Sequence, residues 1–478
     1  MMVAGTASHV GKSWMATAIC RHLRRRGLRV APFKAQNMSL NSFPCAAGGE
    51  IGRSQVAQAQ ACGVEPIPDM NPILLKPSSP SGCQVIVNGK VWRSLDAGDY
   101  SEHYDYLLQQ VVAAFERLAA SFDFIVMEGA GGTAEINLHS RDLVNLPLAA
   151  RLHVPALLVA DIDRGGVFAS VVGTLALLPQ EEKTLVRSFA VNRFQGDLAF
   201  FNGGRSMLEA RAERPCLGIF PFTEGISLDA EDSQALSLGG KPRRAPGPDE
   251  LRIVIVRLPH ISNFTDFRLL PGVEYLTEPV AEEPDLIVLP GSKNTIEDLQ
   301  WLRRRGLEEW ITGCHAGGTA VWGICGGYQM LGRTISDPEG VESSTKSICG
   351  LALLPTETTL KSAKTTCTVS ARSAAGVPFQ AYEIHMGETE PAAGTTPFAW
   401  IGGRAEGFRE GRIAATYLHG ALECPELLRE LLADVARSRG KPAPPLAAVS
   451  PKDEEYDRLA DWFERSADIG KFEKLYLM

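Results

Sequence analysis

Two short runs, far apart in the chain, carry residue types suited to one joint chemistry: Gly5-Thr6-Ala7-Ser8-His9-Val10-Gly11-Lys12-Ser13 near the start, and Gly323-Ile324-Cys325-Gly326-Gly327 in the second half. The first has the parts of a phosphate-binding loop. Glycines let the backbone bend around oxyanions, a lysine meets the phosphates and a hydroxyl serves magnesium. Gly5, Thr6, Gly11, Lys12 and Ser13 are the expected nucleotide contacts, with ATP and Mg²⁺ as the ligands. Five residues separate the two glycines, where the usual loop has four, so the loop is a variant. The second run reads as a sharp strand-to-helix turn that presents Cys325 with little crowding and aims helix N–H dipoles at its sulfur. Such a cysteine can act as a nucleophile and take nitrogen from glutamine by acyl transfer. The oxyanion formed on the way needs N–H donors, for which Gly326 and Gly291 are the candidates. Its base should be a distant histidine. His419, ending an apolar run beside Gly420, and His385, in Glu383-Ile384-His385-Met386, both stay open on the residues alone.

Positioning these groups requires strands that end where the chemistry is. Apolar runs at 28–33, 124–127, 156–160, 188–191 and 216–220 alternate with helical patterns, as in a mostly parallel sheet with crossover helices. Each ends before a polar or glycine-rich segment, where open α/β sheets bind ligands. A short strand at 1–4 precedes the loop, and the helical residues 14–26 follow it, so the phosphate would meet a helix N-terminus. At 124–132 the run ends in Glu128 followed by glycines, which suits a magnesium ion shared with Ser13. Asp161 and Asp163 stand at the next strand end and could serve phosphate, metal or substrate. Beyond a Gly/Pro-rich break at 239–248, strands restart at 252–256, 286–289 and 319–324, with a helix from about Tyr328. Tyr456, Leu459, Trp462 and Phe463 then recur at helical spacing, as in a tail packed on a neighbouring domain.

The chain has 478 residues, 45% of them hydrophobic and 22% charged, enough for more than one core. A net charge of -8 argues against nucleic acid as partner. No apolar stretch approaches the roughly 20 residues of a membrane span, and the loop follows the first residues directly, leaving no room for a signal peptide. A cytoplasmic location is expected. The brevity of the first strand points to a start upstream of Met1. Ten cysteines without a CxxC pair support neither a disulfide framework nor a cysteine zinc site.

Longer runs make the reading specific. They include 32–42, 70–77, 161–168, Ile261-Ser262-Asn263-Phe264-Thr265-Asp266-Phe267, 289–295, 323–332 and 382–387. Together they resemble the cobyric acid synthase family, glutamine-dependent amidotransferases of cobalamin biosynthesis, over nearly the whole chain. The resemblance implies an α/β fold with a P-loop NTPase-like domain similar to dethiobiotin synthetase at 1–236, a linker at 237–250, a class I glutamine amidotransferase domain at 251–447 and a helical tail at 448–478. It implies amidation of the b, d, e and g carboxylates of a corrinoid a,c-diamide, each activated by ATP and attacked by ammonia from L-glutamine. Cys325 then corresponds to the nucleophile and His419 to its base, leaving His385 a structural or substrate-facing role. Asn192 corresponds to an adenine contact and Asp142 to part of the corrinoid carboxylate site. Many class I amidotransferases place a glutamate two residues after the histidine; Ala421 stands there, so a Cys-His dyad or an acid such as Glu423 is expected instead. A sister enzyme amidating the a and c carboxylates shares both domains. A non-catalytic pairing of a partitioning-type ATPase with an inactive amidotransferase scaffold is the other class of reading, and Lys12, Cys325 and His419 together speak against it.

Overall fold

A computed structural model describes the chain except residues 79–81, 224, 227–246, 391–393 and 447–450. Most of the expected linker, 237–246, and the expected boundary at 447–448 lie outside the described residues. In the first half, six parallel strands form one sheet in the order Cys216–Pro221, Val186–Phe194, Ala156–Asp161, Met2–Gly5, Phe124–Glu128, Val30–Phe33. Met2–Gly5 lies between strands that follow it in sequence on both sides, so the chain order reverses there. The mouth of the first strand is therefore the crevice in which such sheets bind ligands. Alternate residues of this strand serve two cores, Met2 and Ala4 one face and Val3 the other.

The second half repeats the logic. Its sheet runs Glu274–Leu276, Ile253–Val256, Leu286–Leu289, Ala320–Ile324, Ile413–Thr416, Phe408–Glu410, parallel except for the last pair. Leu286–Leu289 and Ala320–Ile324 are buried throughout, as expected of parallel strands covered on both faces.

Several boundaries move for local reasons. Leu28 closes the turn after the helix Lys12–Arg25, donating its N–H to Leu23 O, so the second strand starts at Val30. The helix after Cys325 begins at Gly326, because the turn is completed within the cysteine itself. Several elements have no counterpart in the sequence reading, two of them large. One is an accessory sheet of Gln36–Met38, Ile73–Pro77, Gly82–Val87 and Lys90–Asp96; the other is a long hairpin of Glu357–Ser373 and Pro378–Glu390. The C-terminal helices Lys452–Ser466 and Ile469–Tyr476 return to the first domain, where Trp462, Phe463 and Phe472 pack against Ile19 and Leu23 of Lys12–Arg25. Phe463 and Phe472, fully buried, contribute about 1.5–3 kcal/mol each. Arg21 fixes the orientation through Asp457 at 2.7 Å and Asp453 at 2.9 Å.

Candidate active site

At the first-strand mouth, Gly11 takes a left-handed backbone (φ 98°) and opens the helix Lys12–Arg25. A Cβ there would lie 2.1 Å from Asn192 Nδ2, so glycine is required by both conformation and space. Lys12 and Ser13 are then the first two residues of the helix, where N–H groups lack intrahelical acceptors. Lys12 Nζ donates to Ala7 O at 3.0 Å and Gly131 O at 2.7 Å, drawing together the loop and the glycine segment after Glu128. Thr6 N–H donates to Val159 O at 3.0 Å, and Gly5 ends the strand beneath Lys12. Ser13 Oγ donates to Glu128 Oε1 at 2.8 Å, the juxtaposition a shared magnesium ion needs. Glu128 is buried and also accepts from Lys34 Nζ at 3.0 Å and from Gln58 Nε2. Burial alone would raise its carboxyl; the Lys34 ammonium and the hydrogen bonds from Gln58, Lys34 and Ser13 override that and hold it below the usual range. No group of three or more His, Cys, Asp or Glu side chains able to hold a metal occurs among the described residues. One carboxylate and one hydroxyl fit magnesium, which is usually completed by phosphate and water.

Asn192 sits beside this loop, its Nδ2 donating to Val10 O at 2.8 Å. It lines a cavity of about 220 Å³ with Gly11, Trp14, Phe222 and Trp462. Asp142 is occupied locally: Oδ1 accepts from the Val144 and Asn145 N–H groups at 2.7 and 2.9 Å, and Oδ2 from Asn145 Nδ2 at 2.9 Å. Asn145 in turn clamps Ala130 through both backbone groups, at 3.1 and 2.9 Å. Asp142 thus acts on the glycine segment through Asn145. Asp161 and Asp163 are tied to Arg193 at 3.0 Å and Gln195 at 2.7 Å.

At the other end, Cys325 has φ 51° and ψ −108°, a backbone rare for any residue but glycine. The strain is held because Cys325 N–H donates to Thr416 O at 2.8 Å and the flanking glycines accept close neighbours; a Cβ on Gly327 would lie 2.0 Å from Leu289 O. Gly326 N–H, in the first turn of its helix, lacks an intrahelical acceptor. Gly326 abuts the Ser292 amide, and Gly291 lies against the His419 ring, a Cβ there reaching Cε1 at 3.1 Å. Of the two residues expected at the oxyanion, Gly326 therefore adjoins Cys325 and Gly291 borders His419. Cys325 Sγ lies 3.6 Å from Ile384 O.

His419 follows the neighbouring strand Ile413–Thr416 and is pinned by a two-way backbone bridge to Tyr382 of the hairpin, at 3.0 and 2.9 Å. Its Nδ1 meets Asp266 Oδ2 at 2.7 Å, and Gly420 N–H donates to Asp266 Oδ1 at 2.8 Å. Both side chains are buried. Burial disfavours the imidazolium, yet Asp266 and, after it, Cys325 raise the histidine from 6.5 to about 10. The carboxylate that meets His419 is that of Asp266, where the sequence offered Glu423; Glu423 instead bridges Arg53 Nη2 and Arg268 Nε, each at 3.0 Å. His385 is held by Gly387 O at 2.7 Å and stacks on Tyr417 at 4.0 Å, with its ring on the cavity that Cys325 lines. This cavity, about 40 Å³, is also lined by Leu40 and Lys76 of the first half and Asn263 and Ser292 of the second. Asp266 and Lys34 were missed as site residues although both lie inside runs that carried the family resemblance.

A phosphate-loop α/β domain joined to an α/β domain that sets a strained cysteine beside a histidine–aspartate pair defines a nucleotide-using glutamine amidotransferase. Residues 1–236 match the CobQ/CobB/MinD/ParA nucleotide binding domain and residues 252–426 the CobB/CobQ-like glutamine amidotransferase domain. The chain belongs to the cobyric acid synthase family. It is 43% identical to the cobyric acid synthase of Limosilactobacillus reuteri (strain DSM 20016), across 99% of this chain and 98% of that one. With that of Sorangium cellulosum (strain So ce56) it shares 45%, with 99% and 98% covered. With that of Dehalococcoides mccartyi (strain ATCC BAA-2266 / KCTC 15142 / 195) it shares 42%, with 98% and 97% covered. Among the described residues no helix is long and apolar enough to cross a membrane.

Proposed function

We propose that this protein amidates the b, d, e and g carboxylates of adenosylcobyrinic acid a,c-diamide in the cytoplasm, using ATP, Mg²⁺ and L-glutamine, to give adenosylcobyric acid. The observation that carries the reading is the buried Asp266–His419 pair beside strained Cys325, on a cavity that also has walls from the phosphate-loop domain. With its proton already on His419, which Asp266 holds through Nδ1, Cys325 attacks the side-chain amide of glutamine as the thiolate, and the imidazolium then gives a proton to the leaving nitrogen. The Gly326 N–H, with a donor from the Gly291-Ser292 segment, meets the oxyanion. Ammonia leaves, and water cleaves the thioester to glutamate. A free carboxylate is a poor electrophile, so each substrate carboxylate is first converted to an acyl phosphate with release of ADP; ammonia then displaces phosphate. Lys12 meets the phosphates and Asn192 the adenine. Ser13 and Glu128 would hold magnesium, which when bound would supply positive charge against the phosphates.

The test is mass spectrometry of the corrinoid after incubating purified protein with ATP, Mg²⁺, glutamine and adenosylcobyrinic acid a,c-diamide. A hexaamide with one acid remaining is expected. An untouched a,c-diamide, with the a and c acids of cobyrinic acid amidated instead, would move the assignment to the sister enzyme.

Asp266→Asn removes the charge that keeps His419 protonated and oriented. Glutamine-dependent turnover should fall by about 10³–10⁴-fold, with synthesis from free ammonia retained. The same variant reports on stability. Because the folded state raises the histidine from 6.5 to about 10, the pair stabilises the protein fully below pH 6.5 and loses that contribution as pH rises through about 10. The gap in urea midpoint between wild type and Asp266→Asn should therefore be wider at pH 6 than above pH 10. A constant gap would show that the pair does not hold its proton this way.

A further inference from the structure

The strands Val186–Phe194 and Cys216–Pro221 and the helix Lys12–Arg25 all contribute to the cavity of about 220 Å³ that Asn192 lines. Gly11 lines it too, so it adjoins the phosphate loop. Its volume falls short of the roughly 300 Å³ at which drug-sized pockets begin, so it suits one heterocycle and not a whole nucleotide. Three aromatic side chains wall it. Trp14 comes from the helix and Phe222 from the residue after the strand; Trp462 belongs to the helix Lys452–Ser466, well past the matched amidotransferase residues 252–426. Phe222 is 52% exposed, leaving an aromatic surface for a flat ring to cover. The polar member is Asn192, whose Nδ2 donates to Val10 O at 2.8 Å. A carbonyl only accepts, so the end of the amide left over is the acceptor Oδ1. Adenine offers an amino donor to such an acceptor where guanine offers a carbonyl oxygen.

Trp462 is held in register by directional contacts as well as by packing. Its Nε1 donates to Pro221 O at 2.9 Å, next to Phe222, and its ring meets Trp14 edge to face with centroids 6.2 Å apart. Beyond the helix, Asp468 N–H donates to Leu217 O at 2.8 Å and Ala467 bridges to Gly218, where a Cβ would lie 2.2 Å from Ser466 O. Toward the other end Tyr456 Oη donates to Gln60 Oε1 at 2.9 Å. Sliding the helix by one turn, about 5.4 Å, would break all of these bonds. The indole therefore has one place, between Trp14 and the end of the strand Cys216–Pro221.

We infer that the C-terminal helix Lys452–Ser466 completes the nucleotide site, with Trp462 and Phe222 walling an adenine ring whose amino group meets Asn192 Oδ1. The inference rests on the reading of the phosphate loop as an ATP site proposed above, and makes the C-terminal helix a binding element in addition to a packing one. Base and phosphates then depend on different residues. The ring loses water against the aromatic walls, whereas the polyphosphate lies on the loop and depends on Lys12 and not on Trp462.

The test is equilibrium dialysis of the full chain with Mg²⁺ against ATP and against inorganic tripolyphosphate, which has the phosphates and no base. Phe222→Ala and Trp462→Leu should each weaken ATP binding by about 5–150-fold, the usual worth of an aromatic surface to a base, and leave tripolyphosphate binding as in wild type. Phe222 is half in water, so its replacement spares the fold, and Trp462→Leu keeps an apolar side chain against Trp14 and Phe220. Irradiation with an azido-substituted ATP should label the peptides that carry Phe222 or Trp462, and excess ATP should prevent it. ATP bound by both variants as tightly as by wild type overturns the inference and leaves the nucleotide site standing, as does ATP-protected label confined to other peptides. Equal weakening of ATP and tripolyphosphate in both variants also overturns it, because the aromatics would then only support the loop. Failure of wild type to bind ATP, with or without the corrinoid, removes the nucleotide reading as well.

Discussion

Cys325→Ala should abolish glutamine-dependent amidation, by about 10⁴-fold or more, and leave amidation from free ammonia running. The size follows from the role. In the proposed mechanism Cys325 supplies the bond through which glutamine loses its nitrogen, and nothing else at the turn can replace it: Gly326 and Gly327 have no side chain, and Thr295 and Gln329 are bonded to each other at 2.9 Å. Stability should change little, about 1 kcal/mol, because only the sulfur is removed, with its weak contact to Ile384 O at 3.6 Å and its interaction with His419. The measurement is initial rate with each nitrogen donor on the same preparation, with thermal unfolding as control. Equal loss with both donors would sink the division of labour between the domains, since carboxylate activation does not involve the thiol.

That division rests on elements which differ greatly in how visible they are in sequence. Leu286–Leu289, Ala320–Ile324 and Ala156–Asp161 are apolar along their length because both sheet faces are covered, so their runs stand out and their ends point to the chemistry. The hairpin strand Glu357–Ser373 is rich in Thr, Ser and Lys and mostly exposed or half-buried, so it has no apolar alternation to detect. Yet its partner Pro378–Glu390 pins His419 through Tyr382. Asp266 was hidden for another reason. It precedes His419 by 153 residues and meets it only when the turn Phe264–Phe267 folds back against the strand mouth. The expected spacing falls on Ala421, and Glu423, the acid named in its place beside a Cys-His dyad, is near in sequence but is taken up by two arginines. Glu128 and Ser13 could be paired from a distance because each sits at a strand end or loop with its own glycine signature. Lys34 and Gln58 lack one, and their part in the site emerges only from their convergence on a single buried carboxylate.

Lys12→Ala should fail with either nitrogen donor, the opposite pattern to Cys325→Ala. The lysine opens the helix at the first-strand mouth and joins the loop to the glycine segment through Ala7 O and Gly131 O, at 3.0 and 2.7 Å. Removing it takes a cation from the phosphates and leaves two carbonyls without that donor, at a cost of about 1–3 kcal/mol in the loop frame. Transition states of phosphoryl transfer depend on such positioned charge, so amidation with glutamine or ammonia should fall by roughly 10²–10³-fold or more. Equilibrium dialysis with ATP separates the two contributions: weaker binding reports the ground-state contact, and the remaining loss at saturating ATP reports the transition state. Unchanged turnover would take the first loop out of the mechanism and leave Glu128, Lys34 and Gln58 as a buried polar cluster serving the fold. Loss with both donors, set beside the ammonia-rescued Cys325→Ala, would assign carboxylate activation to the phosphate loop and nitrogen release to the cysteine turn.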